Sequence, residues 1–306
     1  MFEIVFLGTS AAAPSVHRGL SSQVVNYRDH RFLIDCGEGT QRQILRSGIG
    51  FRRLHRILIT HGHLDHILGL AGLISTFVRW EALEHLEIWG GSWALERIRD
   101  LLFGVVLRGA RPPIQIDLIP IEAGLLIEED GFRLSAFPVS HRGADCYGFA
   151  FEEPSRRPFI PERAQALGVP AGPIRSELVR GNKVTLADGK VVTPDEVLGP
   201  ERRGTRLVHV GDCGSTHNLL QVCQDADALV IESTYLDYES DLARKFGHLT
   251  ARQAAELAQQ ASVGHLYLTH ISRRYRERQI LEEAQSYFPN VTVARDLDRF
   301  EIRRPE

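Results

Sequence analysis

The residues best suited to chemistry in this sequence lie in one short run. "ILITHGHLDH", from Ile57 to His66, passes from an apolar stretch into three histidines and one aspartate within six positions. Neutral imidazole and carboxylate are ligands for zinc, or for manganese where carboxylates predominate. In an extended segment, residues two apart point the same way, so His61 and His63 can converge on one ion. Asp65 and His66 fall where the next helix begins and face a second point nearby. A solvated loop with incidental histidines is the competing account. Three histidines and an aspartate at this spacing after a strand favour the metal.

A metal site needs further ligands, and three other places repeat the local setting. "LSAFPVSH" ends at His141, "RLVHVGD" at Asp212, and "HLYLTHI" carries His270 near its end. Each alone is equally a loop residue satisfied by water or by a cap. Together they place ligands at the ends of apolar strands, as a two-metal centre requires. Seven ligands for two ions imply one bridging group, and Asp212 can bridge through its two oxygens. The expected first ion takes His61, His63, His141 and Asp212; the second takes Asp65, His66, Asp212 and His270. Two ions ~3.5–4 Å apart can stabilise the attacking and leaving oxygens of a phosphoryl displacement. A structural zinc would prefer cysteines and a closed shell. The four cysteines (Cys36, Cys146, Cys213 and Cys223) are scattered and form no C-x-x-C pair. That usage fits a reducing compartment and speaks against a disulfide framework.

The elements that must hold these ligands alternate along the chain. "EIVFL", "SQVVNY", "RFLIDC", "RILIT", "LEIWG", "IQIDLIPI" and "FRLSAFPVS" read as strands in the first half, with helices at "EGTQRQILRSG", "DHILGLAGLISTFVR" and "SWALERIRDLLF". In the second half "TRLVHVGD", "ALVIEST" and "HLYLTHI" are near-continuous apolar strands, each preceding a helical segment. Such runs imply strands covered by helices. The expected fold class is α/β, a four-layer α/β/β/α sandwich. A length of 306 residues, with 43% hydrophobic and 25% charged, suits a large soluble core. The net charge of -3 means that any nucleic-acid partner needs a local basic patch. No apolar run approaches the ~18–20 residues of a membrane helix. The N-terminus lacks the basic-then-apolar form of a signal peptide, so a cytoplasmic location without membrane attachment is expected.

Residues 152–206 break the pattern. Pro154, Pro158, Pro161, Pro170, Pro173, Pro194 and Pro200 punctuate them, which predicts an inserted, protruding arm rather than core. From Arg156 to Lys183 the bases Arg156, Arg157, Arg163, Arg175, Arg180 and Lys183 face only Glu162 and Glu177, a local charge of +4.

With these motifs assembled, the chain resembles the metallo-β-lactamase superfamily and, within it, the ribonuclease Z (tRNase Z) family. "FLGTSAAAPS", "LIDCGEGTQRQI", "ITHGHLDHILGL", "FPVSHR", "GVPAGPI", "VHVGDC", "IESTY", "GHLTARQAAELA" and "LTHISRRY" match family motifs in order across essentially all of residues 1–306. The resemblance implies a cytoplasmic two-zinc endoribonuclease that trims the 3′ trailer of precursor tRNA. It leaves a tRNA 3′-hydroxyl and a 5′-phosphorylated trailer. It implies that Asp65 orients or deprotonates the attacking water, that His248 protonates the leaving oxygen, and that Glu232 orients His248. The chemistry is sound, since a carboxylate fixes the tautomer of a histidine and raises its basicity. His248 is equally placed to be a structural neighbour of the helix cap Thr250. The arm resembles the family's exosite, gripping tRNA phosphates through its bases, in a homodimer. Two rivals stand beside this: a hydrolase of a small phosphodiester or lactone, and a non-catalytic RNA-binding protein.

The chain departs from the family at Gly62 and Leu64, where Leu and then Gly are common, and at "GDC", "IEST" and "HLT" for "GDT", "HEAT" and "HST". His17, His30, His55, His85, His209, His217 and His265 lack a comparable setting and read as structural. Ser10, Ser15 and Arg18 read as a loop near the metals.

Overall fold

The computed structural model describes residues 1–80, 83–129 and 131–304. They form two compact units, one of Met1–Glu152 with Thr205–Glu306 and the other of Glu153–Gly204.

The first unit is built on two seven-stranded sheets. The strands of the first are β1 (Phe2–Gly8), β2 (Ser22–Tyr27), β3 (His30–Ile34), β4 (Arg56–Leu58), β5 (His85–Gly90) and β6 (Gln115–Pro120), with the chain's last strand outside β1. β3 to β6 run parallel. Their crossovers carry α1 (Thr40–Ser47), α2 (Leu64–Ile67), α3 (Gly69–Trp80) and α4 (Ser92–Arg99). A π-helical stretch, Asp100–Val106, extends α4.

The second sheet begins with the antiparallel β7 (Gly124–Glu129), β8 (Phe132–Pro138) and β9 (Tyr147–Glu152). Of these, only β8 is legible as a strand in the sequence motifs. The helices and strands of the second unit are α5 (Pro161–Ala166), α6 (Pro173–Val179), β10 (Val184–Thr185), β11 (Val191–Val192) and α7 (Pro194–Val197). The first unit then resumes with β12 (Arg206–His209), α8 (Leu220–Cys223), β13 (Ala228–Glu232), α9 (Ser240–Phe246), α10 (Ala251–Gln260), β14 (Leu266–Thr269), α11 (Glu277–Gln285), β15 (Val291–Val293) and β16 (Arg299–Ile302). β12 pairs antiparallel with β9, and β12 to β15 are parallel.

Alternation along single strands explains the layering. In β1, Phe2, Ile4 and Phe6 enter the core shared with Phe149, Phe151, Leu207 and Val230 of the second sheet. Val5 and Leu7 point the other way, into a core roofed by Ile44 of α1, Phe77 of α3 and Ile98 of α4. In β13, Ala228 and Val230 face the first sheet, whereas Leu229 and Ile231 pack under the alanines of α10. Every central strand is therefore buried on both faces, and the expected four-layer α/β sandwich is what forms. No helix among the described residues is long and apolar enough to cross a membrane.

The Pro-rich segment is not bare loop. Ala164, Val169, Leu178, Val184, Val192, Val197 and Leu198 give it a small core of its own. Prolines at the first turns of α5, α6 and α7 start helices, where a missing N–H carries no penalty.

Candidate metal centre

The ligands named from sequence come from the carboxyl ends of strands in both sheets. The segment after β4 supplies His61 and His63, and α2 supplies Asp65 and His66. The loop after β8 supplies His141, the loop after β12 Asp212, and the residue after β14 His270. Two groups result. His61, His63, His141 and Asp212 form one; Asp65, His66 and His270 form the other. Within the first, His61 Nε2 lies 2.8 Å from His63 Nδ1, and His141 Nε2 lies 3.3 Å from the same atom. Asp212 Oδ2 joins the groups, 3.9 Å from His61 and His141, 3.5 Å from His66 and 3.3 Å from His270. Asp65 Oδ2 lies 3.7 Å from His66 and 3.5 Å from His270.

The donor set fits divalent cations. His66 Nε2 and His270 Nε2 are buried and, among the described residues, have no hydrogen-bond partner, although they lie 3.5 and 3.3 Å from Asp212 Oδ2. Buried nitrogens left in this way carry a desolvation penalty unless something coordinates them. Burial and the neighbouring His66 hold His61 well below the ordinary imidazole range, and burial with His141 brings His63 to about 4. Burial also lowers His141. These rings are thus neutral, the form that ligates metals. His66 goes the other way: burial opposes its charging, but Asp212 and Asp35 outweigh it.

Most rings are aimed by a group that sequence reasoning missed. Asp35 is fully buried; its Oδ2 accepts from His66 Nδ1 at 2.7 Å and from Thr60 Oγ1 at 2.8 Å, and its Oδ1 accepts from the Thr60 N–H at 2.8 Å. Thr60 Oγ1 meets His61 Nδ1 at 3.0 Å, Gly247 O meets His141 Nδ1 at 2.7 Å, and Thr234 Oγ1 meets His270 Nδ1 at 2.9 Å. Partners of this kind fix the tautomer and plane of a ligating imidazole. One signal was available: "RFLID" ends an apolar strand in an acid, the same grammar that marks Asp212.

His248 and Glu232 stand beside this centre. Glu232 is fully buried and accepts from His248 Nδ1 at 2.9 Å and from the backbone N–H of Cys213 at 2.6 Å. Burial disfavours the His248 cation, yet the Glu232 carboxylate raises it to about 9. His248 lines a cavity of about 240 Å³ with His63, Arg142, Ala11 and Ala12. The Ala12 N–H donates to Asp65 Oδ2 at 3.0 Å, so the loop of Ser10 and Ser15 does reach the site. Arg18 is turned away from it, held by Thr9, Ala294 and Glu277.

The six bases named in the arm do not act alike. Arg157 is tied to Gly199 O and Asp195, Arg163 to Leu198 O, and Arg175 to Val169 O, Pro170 O and the Phe159 ring. Arg180 pairs with Glu177 at 2.6 Å. Arg156 and Lys183 are exposed, and among the described residues neither side chain has a partner.

Comparison with known proteins gives the family. The family described as beta-lactamase superfamily domain matches residues 197–271, and that described as Anti-Pycsar protein Apyc1 matches residues 2–155. A ribonuclease Z of Bradyrhizobium diazoefficiens is 47% identical over 99% of this chain and 100% of its own length. That of Archaeoglobus fulgidus is 38% identical over 99% and 98%. The crystal structure of human tRNase Z, short form, superposes with a TM-score of 0.69 at 26% identity, covering 99% of this chain and 100% of that one. Alike along its full length, the chain belongs to the ribonuclease Z family of metal-dependent endoribonucleases that process the 3′ ends of tRNA.

Proposed function

We propose that this centre binds two zinc ions, with manganese the alternative, and cuts precursor tRNA to leave a tRNA 3′-hydroxyl and a 5′-phosphorylated trailer. The position of Asp212 carries the proposal: one carboxylate oxygen lies 3.3–3.9 Å from four histidines of both ligand groups. The first ion would be held by His61, His63, His141 and Asp212, the second by Asp65, His66, Asp212 and His270. When bound, they supply Lewis-acid stabilisation of charge on the attacking and leaving oxygens.

The chain's own groups manage the protons. Asp65 stays ionised because His270 and His66 outweigh its burial, and the Ala12 N–H fixes one of its oxygens. It can therefore orient an attacking water and accept its proton. Attack forms the new P–O bond and breaks the bond from phosphorus to the tRNA 3′-oxygen. His248, kept protonated by Glu232, donates to that oxygen.

The unit Glu153–Gly204 serves as the tRNA exosite in this proposal, with Arg156 and Lys183 offering exposed cations to phosphates and Arg157, Arg163 and Arg175 maintaining its fold. Its nine bases against seven acids make a modest net charge, so individual exposed cations matter more than the total. A homodimer working in the cytoplasm completes the proposal. The test is incubation of the metal-loaded protein with precursor tRNA. A cut at the discriminator base is expected, lost in Asp65→Asn and slowed roughly 10²–10⁴-fold in His248→Ala. Binding with no cut by the unaltered protein overturns the assignment.

A further inference from the structure

Five histidines meet at the centre, and four have their outer nitrogen held by a hydrogen-bond partner: His61 by Thr60, His66 by Asp35, His141 by Gly247 and His270 by Thr234. His63 is the exception. Its inward nitrogen is Nδ1, near His61 and His141, and none of the described residues bonds its Nε2. His61, His66 and His270 are buried, whereas His63 is only partly so.

Besides the rings of His61 and His141, at 4.5 and 5.1 Å, the ring that meets it is that of Trp93, in the first turn of α4. The rings meet edge to face, with centroids 5.6 Å apart and planes at 89°. The indole sits against two glycines. A Cβ on Gly62 would lie 3.0 Å from indole Cε3, and one on Gly143 would lie 2.8 Å from Cζ3. Gly62 lies between two ligands, and Gly143 follows His141 by two residues. Arg97, one turn further along α4, stacks on the indole at 5.3 Å and donates from Nη1 to Gly62 O at 2.8 Å. Trp93 is only half-buried, and the core behind α4 is filled by Ala94, Leu95 and Ile98 instead. The indole thus reaches both ligand loops, at Gly62 and at Gly143.

We infer that Trp93 is a positioning residue for His63, fixing by ring contact what hydrogen bonds fix for the other four histidines, with Gly62 and Gly143 bare so that the indole can reach. The inference rests on His63 being a ligand. It also accounts for the Gly62 and Leu64 departure. A side chain at 62 would compete with the indole for space, whereas Leu64 projects outward and is 48% exposed.

The experiment measures Zn²⁺ affinity of the apo-protein by competition with a chromophoric chelator. Trp93→Ala should weaken one of two bound ions about tenfold or more and leave the other unchanged, the scale seen when a ligand's outer partner is removed. Trp93→Phe, which keeps an aromatic ring at 93, should recover most of the loss. Ile98→Ala weakens the same helix without touching His63 and should leave both affinities as they were. If Trp93→Ala does not fold, Trp93→Leu fills the slot without an aromatic ring and should show the same selective loss. Wild-type affinity for both ions in the Trp93 variants, while His63→Ala loses one, overturns the role of Trp93 alone. His63→Ala retaining both ions overturns the ligand assignment beneath it.

Discussion

Replacing Asp35 by Asn alters one atom and should misdirect a ligand. Asp35 Oδ1 accepts from the Thr60 N–H, and Oδ2 accepts from both Thr60 Oγ1 and His66 Nδ1. A carboxamide keeps one oxygen. If that oxygen stays with the Thr60 N–H, which cannot reverse its polarity, the new NH₂ faces His66 Nδ1. The hydroxyl of Thr60 can turn and accept. His66 can accept only by moving its proton to Nε2, the nitrogen that points at Asp212 and the proposed second ion. The wrong tautomer should weaken that ion by roughly 10–100-fold, or about 1.4–2.8 kcal/mol. Loss of a charge-assisted bond should also lower folding stability by about 1.5–3 kcal/mol. Asp35→Ala separates the two effects. It leaves buried donors unmet and puts alanine at φ 55°, a conformation that Asn tolerates better, so it should melt below Asp35→Asn. Yet it imposes no tautomer and should bind the second ion more tightly than Asp35→Asn. Calorimetric titration of the apo-proteins with Zn²⁺, beside their melting curves, gives both orders. Asp35→Asn binding both ions as the wild type does, or better than Asp35→Ala, would refute the reasoning.

Four further outcomes are expected. Burial opposes the His248 cation and Glu232 sustains it, so activity should fall as pH rises through about 9; in Glu232→Gln, where burial is no longer outweighed, the fall should begin at lower pH. A kcat profile with an unmoved basic limb would contradict the donor role. Chelation should lower the melting temperature, and re-addition of Zn²⁺ should restore it in a concentration-dependent way, with a stabilisation of about 2.7 kcal/mol at 100 times Kd. Arg156→Ala with Lys183→Ala should raise KM for precursor tRNA and flatten its salt dependence by up to about two phosphate contacts, without changing turnover of a small phosphodiester. Arg157→Ala, by contrast, should lower the thermal stability of the unit it ties together.

The candidate ligands stand out in the sequence because each follows an apolar strand, and a strand end on a rigid sheet is a defined place even before the sheet is assembled. Asp35 obeys the same rule but points at another side chain, so its partner is visible only once β3 and β4 lie side by side. Thr60, Thr234 and Gly247 are short groups whose roles depend on distances of a few ångströms between loops far apart in sequence. Trp93 reads as one apolar residue of an amphipathic helix, and only the meeting of Gly62 and Gly143 shows otherwise. In the arm, prolines suggested the absence of a core, while the apolar residues that make one are spaced too irregularly for a single period. β9 was missed for a different reason: "YGFAFE" is apolar on both faces and follows the His141 loop without a clear turn signal.

The distribution of ligands over the two sheets has a mechanical consequence. His61, His63, Asp65 and His66 belong to the first sheet, and His141, Asp212 and His270 to the second, so each ligand group draws on both. Below the centre, the sheets meet through side chains such as Phe32 and Phe151, which are large, apolar and without directional bonds. A slip of one strand residue, about 3.3 Å, would carry the ligands of one sheet out of reach of those of the other. Loaded with metal, the centre would pin the two layers to each other at the edge of the sandwich, adding directional bonds where the apolar core between them has none.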